Sequence, residues 1–275
     1  MDGLDKMSIP VQRCYPEEYL THEVADMQYG TGVFSIKIYS IRFRNDCNLE
    51  MFPNACNLLS FSLADDGRVA VELIGRITEL MAPRQHAGRV YTMLRFPPYF
   101  TFHTLGNMNN QTVALSPEIF GGEASIRRAV TAPSAQMRFD LLMRLVADSG
   151  LGLVENPVVS EFLMQCLRAD SLESIETIIE KMNYSPRYVR GVIKQTVGVN
   201  AKRLADIIRL QRIINMLIFN DEDPITCVCR NGFYDQTHMN KNLKKLTECS
   251  YTSFRTILRR KNVLDEPTQR KGDGS

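Results

Sequence analysis

Apolar positions fall into two periods along the chain. Up to about residue 105 they come in short runs broken by Pro and Gly. Val33, Ser35, Lys37 and Tyr39 alternate with Phe34, Ile36, Ile38 and then Ile41, so 33–43 is predicted to be a strand with one buried face. Positions 58–63 form a second apolar run, closed by Asp65-Asp66-Gly67-Arg68, the composition of a hairpin turn. Further strands are predicted at 69–77, 89–96 and 100–105, while Pro10, Pro16, Gly30 and Gly32 make 1–32 irregular. Short strands between turns predict a compact antiparallel sheet or small barrel, ended by Pro117 and Gly121-Gly122.

Beyond that point the period becomes helical. Met137, Leu141, Leu142 and Leu145 mark a helix over 134–146, and Val159, Phe162, Leu163 and Cys166 mark another over 158–167, with Gly150-Leu151-Gly152 between. Their stripes suit either packing on the chain's own sheet or a dimer-forming arm. Ile175, Ile178, Ile179 and Met182 predict a helix over 171–182, followed by the turn Asn183-Tyr184-Ser185-Pro186. Ser185 fits the N-cap and Pro186 the first position of the next helix, 186–196. That helix buries Val189, Val192 and Ile193 and offers Arg187, Tyr188, Arg190 and Lys194 outward. Gly198 ends it, and Leu204, Ile207, Ile208, Ile214, Leu217 and Ile218 mark one long helix over 201–219. Asp221-Glu222-Asp223-Pro224 then caps a short helix, 225–230, that runs into Gly232, where a tight helix-to-helix turn needs positive φ. Phe233 plugs the space between the helices and Asp235 caps the last one. The last helix buries Met239, Leu243 and Leu246 and exposes Gln236, Thr237, Asn240, Lys241, Lys244 and Lys245. Amides and amines on such a face suit a DNA major groove: Gln and Asn pair with adenine edges, and Lys reaches guanine or phosphate.

Charge adds to this picture. The net charge of +2 is the sum of two unlike parts: residues 171–275 hold 18 Lys and Arg against 12 Asp and Glu, a surplus of six positive charges, whereas residues 1–170 hold 15 against 19. The basic part is the one with the paired helices, as a polyanionic partner requires, although six surplus charges are common on any protein surface. Seven scattered cysteines, no basic-then-apolar leader and no run long enough to cross a bilayer indicate reduced thiols in the cytoplasm and no membrane partner. Cys227, Cys229, His238 and Cys249 match no standard zinc spacing, and His86 and His103 lack a His-x-His partner, so neither a metal nor a cofactor is expected. No nucleophile elbow or phosphate-binding Gly loop is present, which argues against an enzyme. Arg42, Arg76, Arg89 and Arg95 lie on neighbouring strands and turns, where they either line a pocket for a small anionic effector or are solvated edges. A helical protein-interaction module without DNA readout would explain the stripes, but not the doubled turn with amide and basic faces.

Gly232-Phe233, Asp235-Gln236, His238, Leu243-Lys244-Lys245 and Phe254-Arg255 together resemble the second helix-turn-helix of the AraC/XylS family of transcription regulators. Met239 and Leu243 replace the usual Phe and keep apolar volume; Glu248 and Tyr251 replace the usual Gly and Pro, which predicts a different path for the last turn. Gly191 stands where the family commonly has a basic residue, so base contact there falls to Arg187 or Arg190. The turn at 53–56 before an apolar strand, Gly75, Leu94-Arg95-Phe96-Pro97-Pro98 and Leu105-Gly106 resemble, more weakly, the sensor domain of one AraC-type subgroup. The resemblance implies an α+β protein. A cupin-like, barrel-like antiparallel β domain (1–132) would sense an effector, and helices at 133–169 would connect or dimerise. An all-α double helix-turn-helix domain with a long linker helix (170–262) would bind DNA, and a polar tail (263–275) would be disordered. It implies promoter DNA as partner, read by Arg187, Tyr188, Arg190, Lys194, Gln236, Thr237, Asn240, Lys241 and Lys244. Homodimerisation and activation through RNA polymerase are usual in the family, with direct repression as the alternative.

Overall fold

In a computed structural model, the described residues are 19–29, 34–106, 108–169, 173–219, 236–250 and 252–254. The expected helix at 225–230, Gly232, Phe233, Asp235, Cys227, Cys229, Tyr251, Arg255 and the tail lie outside them.

A six-stranded antiparallel sheet dominates the N-terminal half. It is built from β1 (Tyr19–Met27), β2 (Ile36–Phe43), β4 (Asn57–Ala64), β5 (Val69–Ile74), β7 (Arg89–Phe96) and β9 (Thr112–Leu115), in the order β1-β2-β7-β4-β5-β9. Two short sheets complete it: β3 (Cys47–Asn48) with β6 (Arg84–Gln85), and β8 (Phe100–Phe102) with β10 (Leu153–Glu155). The β4–β5 hairpin turns on Gly67, whose φ of 86° is the value its position demands. The predicted strand 69–77 stops at Ile74 because Gly75 runs against the backbone of residue 108: a Cβ there would lie 1.8 Å from the Met108 carbonyl oxygen.

The single buried face expected for 33–43 is in fact two. Ile36 and Ile38 join Phe61, Leu94 and Phe96 on the face covered by helices, while Tyr39, Ile41 and Phe43 join Leu58, Ile74, Tyr91 and Met93 on the other, under Leu49, Met51 and Ile77. Ile41 thus shares the face of Tyr39, not that of Ile38. Lys37 is buried too, its ammonium 3.1 Å from Asp26. Residues 19–27, expected to be irregular, form the edge strand β1, paired with β2 from Thr21↔Arg42 to Met27↔Ile36. Among the described side chains of β1 only Met27 is buried, so backbone hydrogen bonds hold this strand and no apolar run announces it.

Seven α-helices follow: α1 (Gly122–Val130), α2 (Ala135–Asp148), α3 (Pro157–Arg168), α4 (Ile175–Glu180), α5 (Pro186–Val197), α6 (Ala201–Phe219) and α7 (Gln236–Thr247) among the described residues. Ser134, Asn156, Ser174 and Ser185 each cap a helix by accepting a bond from the amide three residues on. The Ser174 cap makes α4 start later than the predicted residue 171. In α2, Phe139, Leu142, Met143 and Val146 are buried, whereas Met137 of the expected stripe is 49% exposed. Arg138 is buried as well, and its guanidinium bonds the Ala132 carbonyl and Glu23 of β1.

One apolar cluster runs from the helix-covered sheet face through α3 into α4, α5, α6 and α7, so the two halves share a core. Polar contacts reinforce it. Gln211, fully buried in α6, donates to the Pro53 carbonyl at 2.6 Å, and Asn109 donates to the Val197 carbonyl at 2.9 Å. Phe254 packs edge-on to Phe52, with ring centroids 5.0 Å apart.

Candidate DNA-binding surface

The first candidate recognition helix is α5. Ser185 Oγ accepts from the Tyr188 amide at 3.3 Å, Pro186 occupies the first turn, and Gly198 closes the helix at φ 81°. Val189, Ile193 and Val197 are completely buried, which turns Arg187, Arg190, Gly191 and Lys194 to solvent on the opposite side. Val192, expected in the core, is only half-buried; it faces a cleft of about 500 Å³ between α5 and the Phe102–His103 and Val154–Asn156 segments. Three residues of the exposed face are engaged within the chain. Arg190 pairs with Glu176 of α4 at 3.1 Å, Lys194 Nζ donates to the Gly198 carbonyl at 3.0 Å, and Tyr188 packs on Tyr184 at 5.7 Å. Tyr184 and Glu176 were not anticipated as neighbours of the site, because each is set by the α4–α5 crossing rather than by spacing along one helix. Nothing lies within 4 Å of a Cβ built on Gly191, so this glycine is not a packing requirement.

The second is α7. Met239, Leu243 and Leu246 are buried and pack with α6, where Leu204, Ile207, Ile208 and Ile214 are also buried. Thr237, Lys241 and Lys244 are exposed, and neither lysine forms an ion pair among the described residues. Of Gln236 only the backbone is described, at the start of α7. Asn240 departs from expectation: it is half-buried, and its Oδ1 is enclosed with no partner among the described residues. At about 100° per residue, position 240 falls beside buried Thr247, at the edge of the packed side. Glu248, where the resembling family has Gly, holds φ 59° and donates its amide to the Lys244 carbonyl. The left-handed cap is therefore formed despite the missing glycine, at a cost of about 1–2 kcal/mol.

The four candidate effector arginines do not gather at one point. Arg42 pairs with Asp65 at 2.7 Å, and Arg89 donates to Ser62 Oγ at 3.0 Å, both at one end of the sheet. Arg95 lies six residues further along β7, roughly 20 Å away. Arg76 is near Arg95: it is buried, and bonds the Phe100 carbonyl at 2.9 Å and Thr101 Oγ1 at 3.0 Å. Burial pulls its guanidinium down to about 10, which leaves it charged at neutral pH. Burial likewise pushes the Cys56 thiol up, against the pull of Arg95 and Arg76. Arg95 lies over the Tyr39 ring at 5.9 Å and borders a cavity of about 40 Å³, also lined by Met51, Asn54, Cys56 and Ile77. His86 is bound to Asp46, and no group of three His, Cys, Asp or Glu side chains able to hold a metal occurs among the described residues. No helix of the described residues is long and apolar enough to cross a membrane.

Two helices with buried apolar sides and exposed cationic sides, packed on one long helix beside a sheet domain, define a helix-turn-helix DNA-binding protein. The family described as "Helix-turn-helix domain" matches residues 178–257. The chain is similar to the HTH-type transcriptional activator RhaS of Enterobacter sp., 24% identical over 241 residues and covering 83% of each chain. It is similar also to RhaS of Citrobacter koseri, 22% identical over 241 residues with the same coverage. The crystal structure of ToxT from Vibrio cholerae aligns at a TM-score of 0.46 with 9% identity, covering 86% of this chain and 97% of that one. Residues 178–257 thus match a helix-turn-helix domain of AraC/XylS type, and over most of its length the chain is similar to transcriptional activators.

Proposed function

We propose that the protein reads promoter DNA by inserting α5 and α7 into successive major-groove faces, with α6 as the rod between them. Residues 1–132 sense, 133–169 connect the halves or dimerise, and 170–262 bind. The observation that carries this reading is the sidedness of both helices: complete burial of Val189 and Ile193 in α5 and Met239 and Leu243 in α7 leaves Arg187, Arg190, Lys194, Thr237, Lys241 and Lys244 as outward groups. Arg190 and Arg187 select bases, since Arg is the usual bidentate partner of guanine. Lys194, Lys241 and Lys244 neutralise phosphates, and Tyr188 contacts the backbone. Gln236 and Asn240 contact adenine edges once the Asn240 amide turns outward. Binding recruits RNA polymerase and activates transcription.

The effector reading narrows to Arg95. Its cavity of about 40 Å³ holds only a few waters. An anionic effector therefore enters only as the segments carrying Met51 and Ile77 move apart. Genome-wide mapping of bound sites tests the DNA reading. A shared motif with two conserved blocks about one helical turn apart supports it, and binding without a shared motif sinks it.

A further inference from the structure

We propose that Arg203 is a positioning residue that couples the sheet half to the second recognition helix, and so lets the state of the Arg95 cavity reach α7. The proposal rests on the reading of α7 as a DNA-contacting helix. Arg203 sits in the first turn of α6, where its amide donates to Asn200 Oδ1 at 2.8 Å. Its partly buried guanidinium spans two other elements. Nη2 donates to the Thr78 carbonyl at 2.9 Å and Nη1 to the Lys245 carbonyl at 3.4 Å. Carbonyls in the last turn of a helix lack intrahelical partners and carry partial negative charge, so a cation is favoured there. A planar fork serves two fixed acceptors at once, which a lysine ammonium on a flexible stem does less well.

The Thr78 end of this bridge is one residue from the cavity wall. Ile77 lines the cavity, and its carbonyl accepts from the amides of Asn54 and Ala55, both at 2.9 Å. On the other side Asn110 clamps the segment: Oδ1 accepts from the amides of Thr78 at 2.7 Å and Glu79 at 3.1 Å, and Nδ2 donates to Thr78 Oγ1 at 2.9 Å. Any widening of the cavity that moves Ile77 moves the Thr78 carbonyl with it. Arg203 then either follows or releases that carbonyl, and the end of α7 loses its fixed support.

The test uses the full chain and its mapped DNA site. Arg203→Ala, Arg203→Lys, Asn110→Gly and the Arg203→Ala/Asn110→Gly double variant are compared by affinity, footprint and salt dependence, with thermal unfolding as the check on folding. Glycine is chosen at position 110 because its φ is 56°, where alanine would be strained. Arg203→Ala is expected to weaken binding roughly ten-fold, with protection lost only in the α7 half of the footprint and the salt slope unchanged. Asn110→Gly, far from the DNA-binding half in sequence, gives the same half-footprint loss of roughly five-fold, and the double variant is no weaker than Arg203→Ala alone. If Arg203→Ala fails to fold, Arg203→Lys carries the comparison, since it keeps the charge and loses the two-point bridge. A salt slope reduced by about one unit would make Arg203 a phosphate contact and overturn the proposal. Tighter binding, additive losses, or an Asn110→Gly variant indistinguishable from the parent would also overturn it. Lys241→Ala and Lys244→Ala with unchanged affinity would sink the reading of α7 itself, a result separable from any outcome at Arg203.

Discussion

α5 is capped by Ser185, whose hydroxyl accepts from the Tyr188 amide, and ends at a glycine in the left-handed region; α7 ends in the same region on Glu248, a residue with a Cβ. The cationic faces differ as well. On α5, Arg190 and Lys194 are held within the chain by Glu176 and the Gly198 carbonyl, whereas Lys241 and Lys244 on α7 carry no ion pair among the described residues. The α5 side chains are therefore pre-positioned, and an exposed pair such as Arg190–Glu176 costs at most about 1 kcal/mol to break when DNA arrives. The α7 face offers unspent charge, while Phe254 and Arg203 tie its end to the sheet half. Specificity is thus expected to concentrate on α5, and salt-dependent affinity and regulation on α7.

Four measurements break or sharpen this contrast. The largest effect is expected from Ile193→Ala, which empties a fully buried position under α5. It should cost about 2–5 kcal/mol of stability in denaturant unfolding and abolish protection in the α5 half of the footprint. Arg190→Ala should cost about 1–3 kcal/mol at one base pair and relax preference there in site selection. An equal loss at every site would make Arg190 a phosphate contact, like the lysines of α7. Glu248→Gly should raise stability by about 1 kcal/mol, seen as a higher Tm with unchanged site preference. A destabilised variant would mean the Glu248 side chain contributes more than its backbone strain costs.

The smallest effect concerns acid. Burial raises the Asp26 carboxyl, but the Lys37 charge and bonds from Ser35 and Lys37 outweigh it, so the group lies below its ordinary value of 3.8. A depressed carboxyl contributes stability that is complete above the unfolded value and is lost as pH falls through the folded one. Asp26→Asn should flatten acid unfolding below about pH 4, and leave both footprint halves intact.

The legibility of these features follows from where their causes lie. Ser185-Pro186 and Gly198 mark α5 because a cap, a first-turn proline and a left-handed stop are local requirements. α6 was readable end to end for the same kind of reason, a sustained apolar stripe. β9 and β10 leave no local signal because their pairing is long-range, β10 closing on β8 across about fifty residues, whereas β1 pairs with its neighbour β2 but lacks an apolar run to mark it. Lys37 read as a solvent-face residue because nothing near it in sequence announces a second apolar layer over that face. Asn240 was placed on the open side of α7 by its polarity, yet helical angle puts it at the packed edge. The bridge at Arg203 joins positions 125 apart in the chain, beyond the reach of any local rule.

The central claim, that α5 and α7 occupy successive major-groove faces of one duplex, is tested most directly by guanine-methylation and phosphate-ethylation interference on the mapped site. The account predicts two sensitive blocks about one helical turn apart, one lost in Arg190→Ala and the other weakened in Lys241→Ala/Lys244→Ala. A single block, or two blocks that fade together in either variant, would contradict it.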